Sequence, residues 1–180
     1  MSESYKLKLL YSEDEVRKKV SSIADEISSD YRGKSPLFLG VLKGSFLFLA
    51  DLLRSLDGLD PLVDFLRVSS YGEGTSPRRN PAYGEIPSIS PEGKDVIIIE
   101  DIIDTGRSLH YLIKHIERES PATLRVCALI DKRERREVAV PVHYRGFLLE
   151  RGFVVGYGMD FSEKFRNIKS LCLLAKKGKE

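Results

Sequence analysis

Residues 96–108, Val-Ile-Ile-Ile-Glu-Asp-Ile-Ile-Asp-Thr-Gly-Arg-Ser, constrain this chain more than any other stretch of its 180 residues. Four apolar, mostly β-branched residues read as a buried strand. Glu100 and Asp101 follow where that strand is expected to end. Asp104 then opens a turn of small residues that leads into a helical pattern over Leu109–Glu119. A strand that delivers its C-terminal end to a helix start is the unit of an open parallel sheet, whose ligands sit beyond the carboxyl ends of the strands. The N–H groups and dipole at such a helix start favour a phosphate. Two carboxylates would repel it, so they are expected to face sugar hydroxyls or a divalent cation. Neither G-x-x-x-x-G-K-[ST] nor G-x-G-x-x-G is present in the run, which argues against triphosphate hydrolysis and dinucleotide binding.

The rest of the chain alternates in the same way. Ser12-Glu13-Asp14-Glu15 is a capping box. Val16, Val20, Ile23, Ala24 and Ile27 fall on one face of a helix that fades near Asp30. Leu37–Leu42 reads as a strand, Lys43-Gly44-Ser45 as a turn, and 46–54 as a helix. Strands follow at 62–69 and 124–130. Residues 71–93 hold four prolines and four glycines, and are expected to be a long loop with extended arms. The pattern predicts one α/β domain with a twisted, mainly parallel sheet, helices on its faces and right-handed crossovers. Strands at 5–10, 153–157 and 171–175 break the alternation and suggest a small second layer. The expected division is a core over about 12–131, a hood from about 1–11 and 132–180, and a lid over about 70–93.

Composition narrows the partners. With 29 basic and 27 acidic residues the net charge is +2, which does not suit a chain that binds nucleic acid through bulk charge. No apolar stretch approaches a membrane span, and MSESYKLKLL lacks a signal-peptide core. Cys127 and Cys172 lie in apolar runs without metal-ligand spacing and are expected to be buried thiols in a reducing cytoplasm. The expectation is a cytoplasmic protein with neither nucleic acid nor membrane as partner.

The run at 96–108 resembles the phosphoribosyl pyrophosphate motif of the type I phosphoribosyltransferases, in wording close to the hypoxanthine-guanine branch. Three further segments fall in family order: Leu42-Lys43-Gly44, Lys132 within Asp-Lys-Arg-Glu-Arg-Arg, and Phe153-Val154-Val155-Gly156-Tyr157-Gly158-Met159-Asp160 followed by Phe165-Arg166. The resemblance implies that Glu100 and Asp101 hold the ribose hydroxyls, partly through Mg²⁺. It implies that Asp104, Thr105, Gly106, Arg107 and Ser108 cradle the 5′-phosphate, with Asp104 also the general base. Leu42, Lys43, Gly44 and Arg166 would bind pyrophosphate. Lys132, Phe153, Val154 and Asp160 would bind the purine, and Asp160 would lie near a second Mg²⁺. Ser70 and Tyr71 would close as a lid. Lysine donates and cannot accept, so Lys132 suits a 6-oxo group and not an amino group.

The implied reaction is purine salvage. Phosphoribosyl pyrophosphate and hypoxanthine or guanine would give IMP or GMP and pyrophosphate, in a homodimer or homotetramer. Xanthine is a same-class alternative, because recognition at the purine 2-position uses backbone. A non-catalytic nucleotide sensor on the same fold is the rival from another class. Taken without the resemblance, the charges at 131–136 read as a solvated loop, Lys43-Gly44 as a plain turn, and Asp104 as a helix N-cap.

Overall fold

The computed structural model describes residues 5–71, 77–83 and 87–176, with backbone only for 68–71, 77–83 and 176. In chain order the elements are β1 (Tyr5–Tyr11), α1 (Glu13–Asp30), β2 (Leu37–Leu42), α2 (Phe46–Ser55), β3 (Leu62–Tyr71) and β4 (Pro77–Tyr83). They continue as β5 (Asp95–Ile103), α3 (Arg107–Glu117), β6 (Thr123–Lys132), β7 (Tyr144–Leu149), β8 (Val154–Val155) and β9 (Leu171–Lys176). The α1 capping box forms as read: Glu15 N–H donates to Ser12 Oγ at 3.3 Å, and Ser12 N–H donates to the Glu15 carboxylate at 2.8 Å.

Six strands form the main sheet in the order β4-β3-β2-β5-β6-β7, and a smaller sheet is ordered β1-β9-β8. From β3 to β7 the main sheet is parallel, and β4 joins its edge antiparallel. The apolar run of β5 is buried on both faces, as a central parallel strand requires. Ile97 and Ile99 pack with residues of α1 and α2, while Val96 and Ile98 pack with α3. The alternation then resets across the acidic pair, because Ile102 lies with Ile99 and Ile103 with Ile98. A strict period of two would stop the strand at Ile99, yet β5 runs on through both carboxylates to Ile103.

An extended arm expected within the long loop at 71–93 is found, and it joins the main sheet. This arm, Pro77–Tyr83, is strand β4, pairing Val68 with Tyr83 and Ser69 with Ala82. An edge strand tolerates proline, since one side of its backbone needs no ladder partner. The lid residues Ser70 and Tyr71 end β3, but their side chains lie outside the described residues, as does the backbone of 72–76 and 84–86. β7 was not anticipated. It pairs in parallel with β6, so 144–149 belongs to the main sheet and not to the hood. The described part of the second sheet draws on 5–11 and 154–176, with only Val154–Val155 of the expected 153–157 strand in the ladder. α3 begins two residues earlier than the pattern suggested, because Gly106 serves as its N-cap.

Order and direction locate the functional end. The chain passes from β2 outward to β3, then returns to lay β5 on the other side of β2. β2 and β5 therefore flank a topological switch point, where an open α/β sheet leaves a crevice at its carboxyl edge. Leu42-Lys43-Gly44 and Glu100-Asp101 are the residues that reach that crevice.

Candidate active site

Three segments stack at the crevice so closely that a Cβ would collide with a neighbouring segment at Gly44 and at Gly158. The Leu42–Lys43 peptide is cis. At Gly44 a Cβ would stand 1.7 Å from Asp101 Oδ2, so the loop after β2 lies directly against the acidic pair. At Gly158, with φ +96°, a Cβ would stand 2.2 Å from the Gly44 carbonyl oxygen. The 156–160 turn thus backs the same loop from the hood side.

The acidic pair sits in a setting that opposes its charge. Burial raises the Glu100 carboxyl well above the usual carboxylate range, and neighbouring Asp101 pushes it further. Glu100 Oε2 is buried without a hydrogen-bond partner. Burial also pushes Asp101 up to about 6, with N–H groups of the strand and Arg166 acting the other way. Two half-buried carboxylates with no ion pair among the described residues, one with an orphaned oxygen, fit a divalent cation and sugar hydroxyls. Among the described residues no three His, Cys, Asp or Glu side chains form a metal-ligating cluster. Mg²⁺ does not require one, since it is commonly held by one or two carboxylates together with phosphates and water. Asp160 pairs with the Arg166 guanidinium at 2.7 Å, and its charge adds to the rise at Asp101.

The turn after β5 is braced from below. The Gly106 N-cap has φ +81°, and no side chain caps α3, so Asp104 is not a capping residue. Its carboxylate is held by cations: Lys132 Nζ lies 3.3 Å from Oδ1 and Arg135 lies 3.2 Å from Oδ2. Lys132 is only 5% exposed, which overturns the solvated-loop reading for Asp131 and Lys132, while Arg133, Glu134 and Arg135 are exposed as that reading expects. Asp131 is buried as well, and Arg136 ties the pieces together. Its guanidinium donates to Asp131 at 2.6 Å and to the carbonyl oxygens of Ile103, Asp104 and Lys132 at 2.9–3.0 Å. The N–H groups of Glu137 and Val138 donate to the Thr105 carbonyl. Arg107 is exposed, and its guanidinium pairs with Glu137. Thr105 and Gly106 form the turn and Ser108 lies in the first turn of α3, with Thr105 Oγ1 accepting from Arg107 N–H at 3.3 Å.

The turn that carries Phe153 is tied to the residues after β6. Arg133 N–H donates to the Leu149 carbonyl, and Gly152 N–H donates to Glu134, linking the end of β6 to the turn before β8. The Phe153 ring is 47% exposed and meets Phe161 edge-on, with centroids 5.6 Å apart. Val154 is buried in β8. Arg166 donates to the Gly158 carbonyl at 2.7 Å and contacts Glu163 at 3.0 Å, and Lys43 Nζ contacts the same Glu163 at 3.0 Å.

Sequence reasoning missed Arg136, Gly158 and Glu163. Arg136 was hidden in a charge run whose ordinary reading is surface. A glycine's close approach and the pairing of Glu163 with Lys43, 120 residues away, have no local signal.

A phosphoribosyl transferase domain matches residues 8–162. This chain belongs to the phosphoribosyltransferase family. The phosphoribosyltransferase is 39% identical over 166 residues to a hypoxanthine-guanine phosphoribosyltransferase of Streptococcus pyogenes, covering 89% of each chain. It is 38% identical over 172 residues to the Bacillus subtilis protein of that name, covering 93% of this chain and 92% of the other. It spans 26% of the length of a Listeria innocua bifunctional protein TilS/HprT, which is 42% identical over 172 residues. Its fold superposes on a Bacillus anthracis hypoxanthine-guanine phosphoribosyltransferase crystal structure with TM-score 0.87 and 36% identity, covering 96% of this chain and all of that one.

Proposed function

We propose that this phosphoribosyltransferase is a cytoplasmic purine-salvage enzyme, assembled as a homodimer or homotetramer. It transfers phosphoribosyl from phosphoribosyl pyrophosphate to hypoxanthine or guanine and releases IMP or GMP and pyrophosphate. The observation that carries the substrate choice is the contact between Lys132 Nζ and Asp104 Oδ1 at 3.3 Å. A 6-oxopurine presents O6 and N7 side by side on one edge. A buried ammonium next to a carboxylate matches that edge, donor to O6 and acceptor to the protonated imidazole nitrogen. Adenine would set its amino group against the ammonium, leaving buried donors unmatched.

In this reading the C1′–oxygen bond to pyrophosphate breaks and a C1′–nitrogen bond to the base forms. Pyrophosphate leaves with the electron pair, and Asp104 takes the imidazole proton. A positioned general base contributes about 10²–10⁴-fold. Thr105, Gly106 and Ser108 hold the 5′-phosphate at the start of α3, where N–H groups and dipole favour an anion. Glu100 and Asp101 would hold Mg²⁺ and the ribose hydroxyls. Magnesium, when bound, offsets the charge of the leaving pyrophosphate. Phe153 offers an exposed face for the base, and Leu42, Lys43, Gly44 and Arg166 lie at the leaving-group end.

Incubation with phosphoribosyl pyrophosphate and Mg²⁺ against hypoxanthine, guanine, xanthine and adenine tests the reading. Pyrophosphate release with the first two and none with adenine is expected. Release with none of the four would refute it in favour of a non-catalytic sensor, and turnover preferring xanthine would reassign the substrate.

A further inference from the structure

The leaving-group end of the crevice is occupied by one of the chain's own carboxylates. Glu163 lies in the turn between Asp160 and Arg166, where Ser162, Glu163 and Phe165 have φ of +51°, +61° and +75°. One of its oxygens accepts from Lys43 Nζ at 3.0 Å, and the other accepts from the Arg166 guanidinium at 3.0 Å. Each oxygen thus takes one cation, the way a terminal phosphate would span the same pair. The backbone supports this placement, since Glu163 N–H donates to Asp160 at 2.8 Å. Lys43 first, and Arg166 next, hold the Glu163 carboxyl below its ordinary range, so it is charged at neutral pH.

We propose that Glu163 is an internal competitor for pyrophosphate, which sets how weakly the leaving group is held. This rests on the phosphoribosyl-transfer reading, in which Lys43 and Arg166 face pyrophosphate. Lys43 is anchored by the loop that Gly44 packs against Asp101, and Arg166 by Asp160 and the Gly158 carbonyl. Both cations therefore stay in place while Glu163 is exchanged for a phosphate. The Glu163 side chain is 65% exposed, so its pairs with the two cations are weak and readily displaced. A competitor of that strength lowers affinity without blocking the site. Binding the product less tightly than a bare pair of cations would speeds its departure, a step that limits turnover in many enzymes.

The test is calorimetric titration of magnesium pyrophosphate into the full chain, Glu163→Gln and Glu163→Asn. Asparagine accepts the left-handed backbone at this position and guards against misfolding of the first variant. Each exposed ion pair is worth up to about fivefold in affinity. Loss of the carboxylate is therefore expected to tighten pyrophosphate by about three- to tenfold. Equal or weaker binding by the folded variants would overturn the proposal and make Glu163 a positioning residue for the two cations. Absence of binding by all three chains would overturn it too. Turnover of hypoxanthine by the unaltered chain separately judges the parent reading, because the affinity order of the three chains needs no purine.

Discussion

Lys132 Nζ stands 3.3 Å from Asp104 Oδ1, joining the end of β6 to the turn after β5. The pair places a donor beside an acceptor, and under the proposed reaction it would link substrate choice to proton transfer. Replacing Lys132 by Met keeps much of the side-chain volume and removes the donor. A hydrogen bond to a charged group contributes about 1.5–3 kcal/mol. The KM for hypoxanthine should rise roughly ten- to hundredfold, with the preference over adenine reduced by a similar factor. Steady-state competition between the two bases measures both effects.

Asp104→Asn retains the shape of the turn and removes its base. Turnover with hypoxanthine should fall by about 10²–10⁴-fold. Binding of phosphoribosyl pyrophosphate should change little, since Gly106 and the start of α3 are untouched. Unchanged turnover with intact binding would remove Asp104 from proton transfer.

Gly44→Ala would put a methyl carbon 1.7 Å from Asp101 Oδ2. A carboxylate at the end of a side chain can rotate away, so the fold should survive at a loss of about 1–3 kcal/mol. The function should suffer more, with the KM for phosphoribosyl pyrophosphate raised more than tenfold. Gly158→Ala meets the Gly44 carbonyl at 2.2 Å and needs φ +96°, so its loss of thermal stability should exceed that of Gly44→Ala. Thermal melts of the two variants, side by side, check the order.

Burial pushes Asp101 up to about 6, which fixes the sign of a pH effect. A carboxyl raised in the folded state favours folding below its unfolded value. That contribution is lost as pH rises from about 4 to about 6. Asp101→Asn removes this residue's share of the dependence and leaves that of Glu100. The variant without ligands should therefore be more stable than the parent at pH 7.5 by on the order of 2 kcal/mol, and about equal to it at pH 4. Added Mg²⁺ and phosphoribosyl pyrophosphate should reverse the order at pH 7.5. Melting curves across this range give the answer.

The sequence alone determined the elements whose signal is local. The capping box of α1, the apolar run of β5, and the small turn leading to α3 depend on periodicity and turn chemistry within a dozen residues. They sufficed to name an α/β sheet with an acidic pair and a phosphate-type turn at its carboxyl edge. Other features waited for tertiary structure because they depend on residues that meet only after folding. The prolines of 77–83 become an edge strand when β3 offers them a partner. The strand at 144–149 forms because β6 is beside it. The charges at 131–136 look like surface until Asp131 is buried, Arg136 binds three carbonyl oxygens of two strand ends, and Lys132 meets Asp104. Local chemistry wrote the small turn after β5. Burial of distant charges against one another decided what stands beside it.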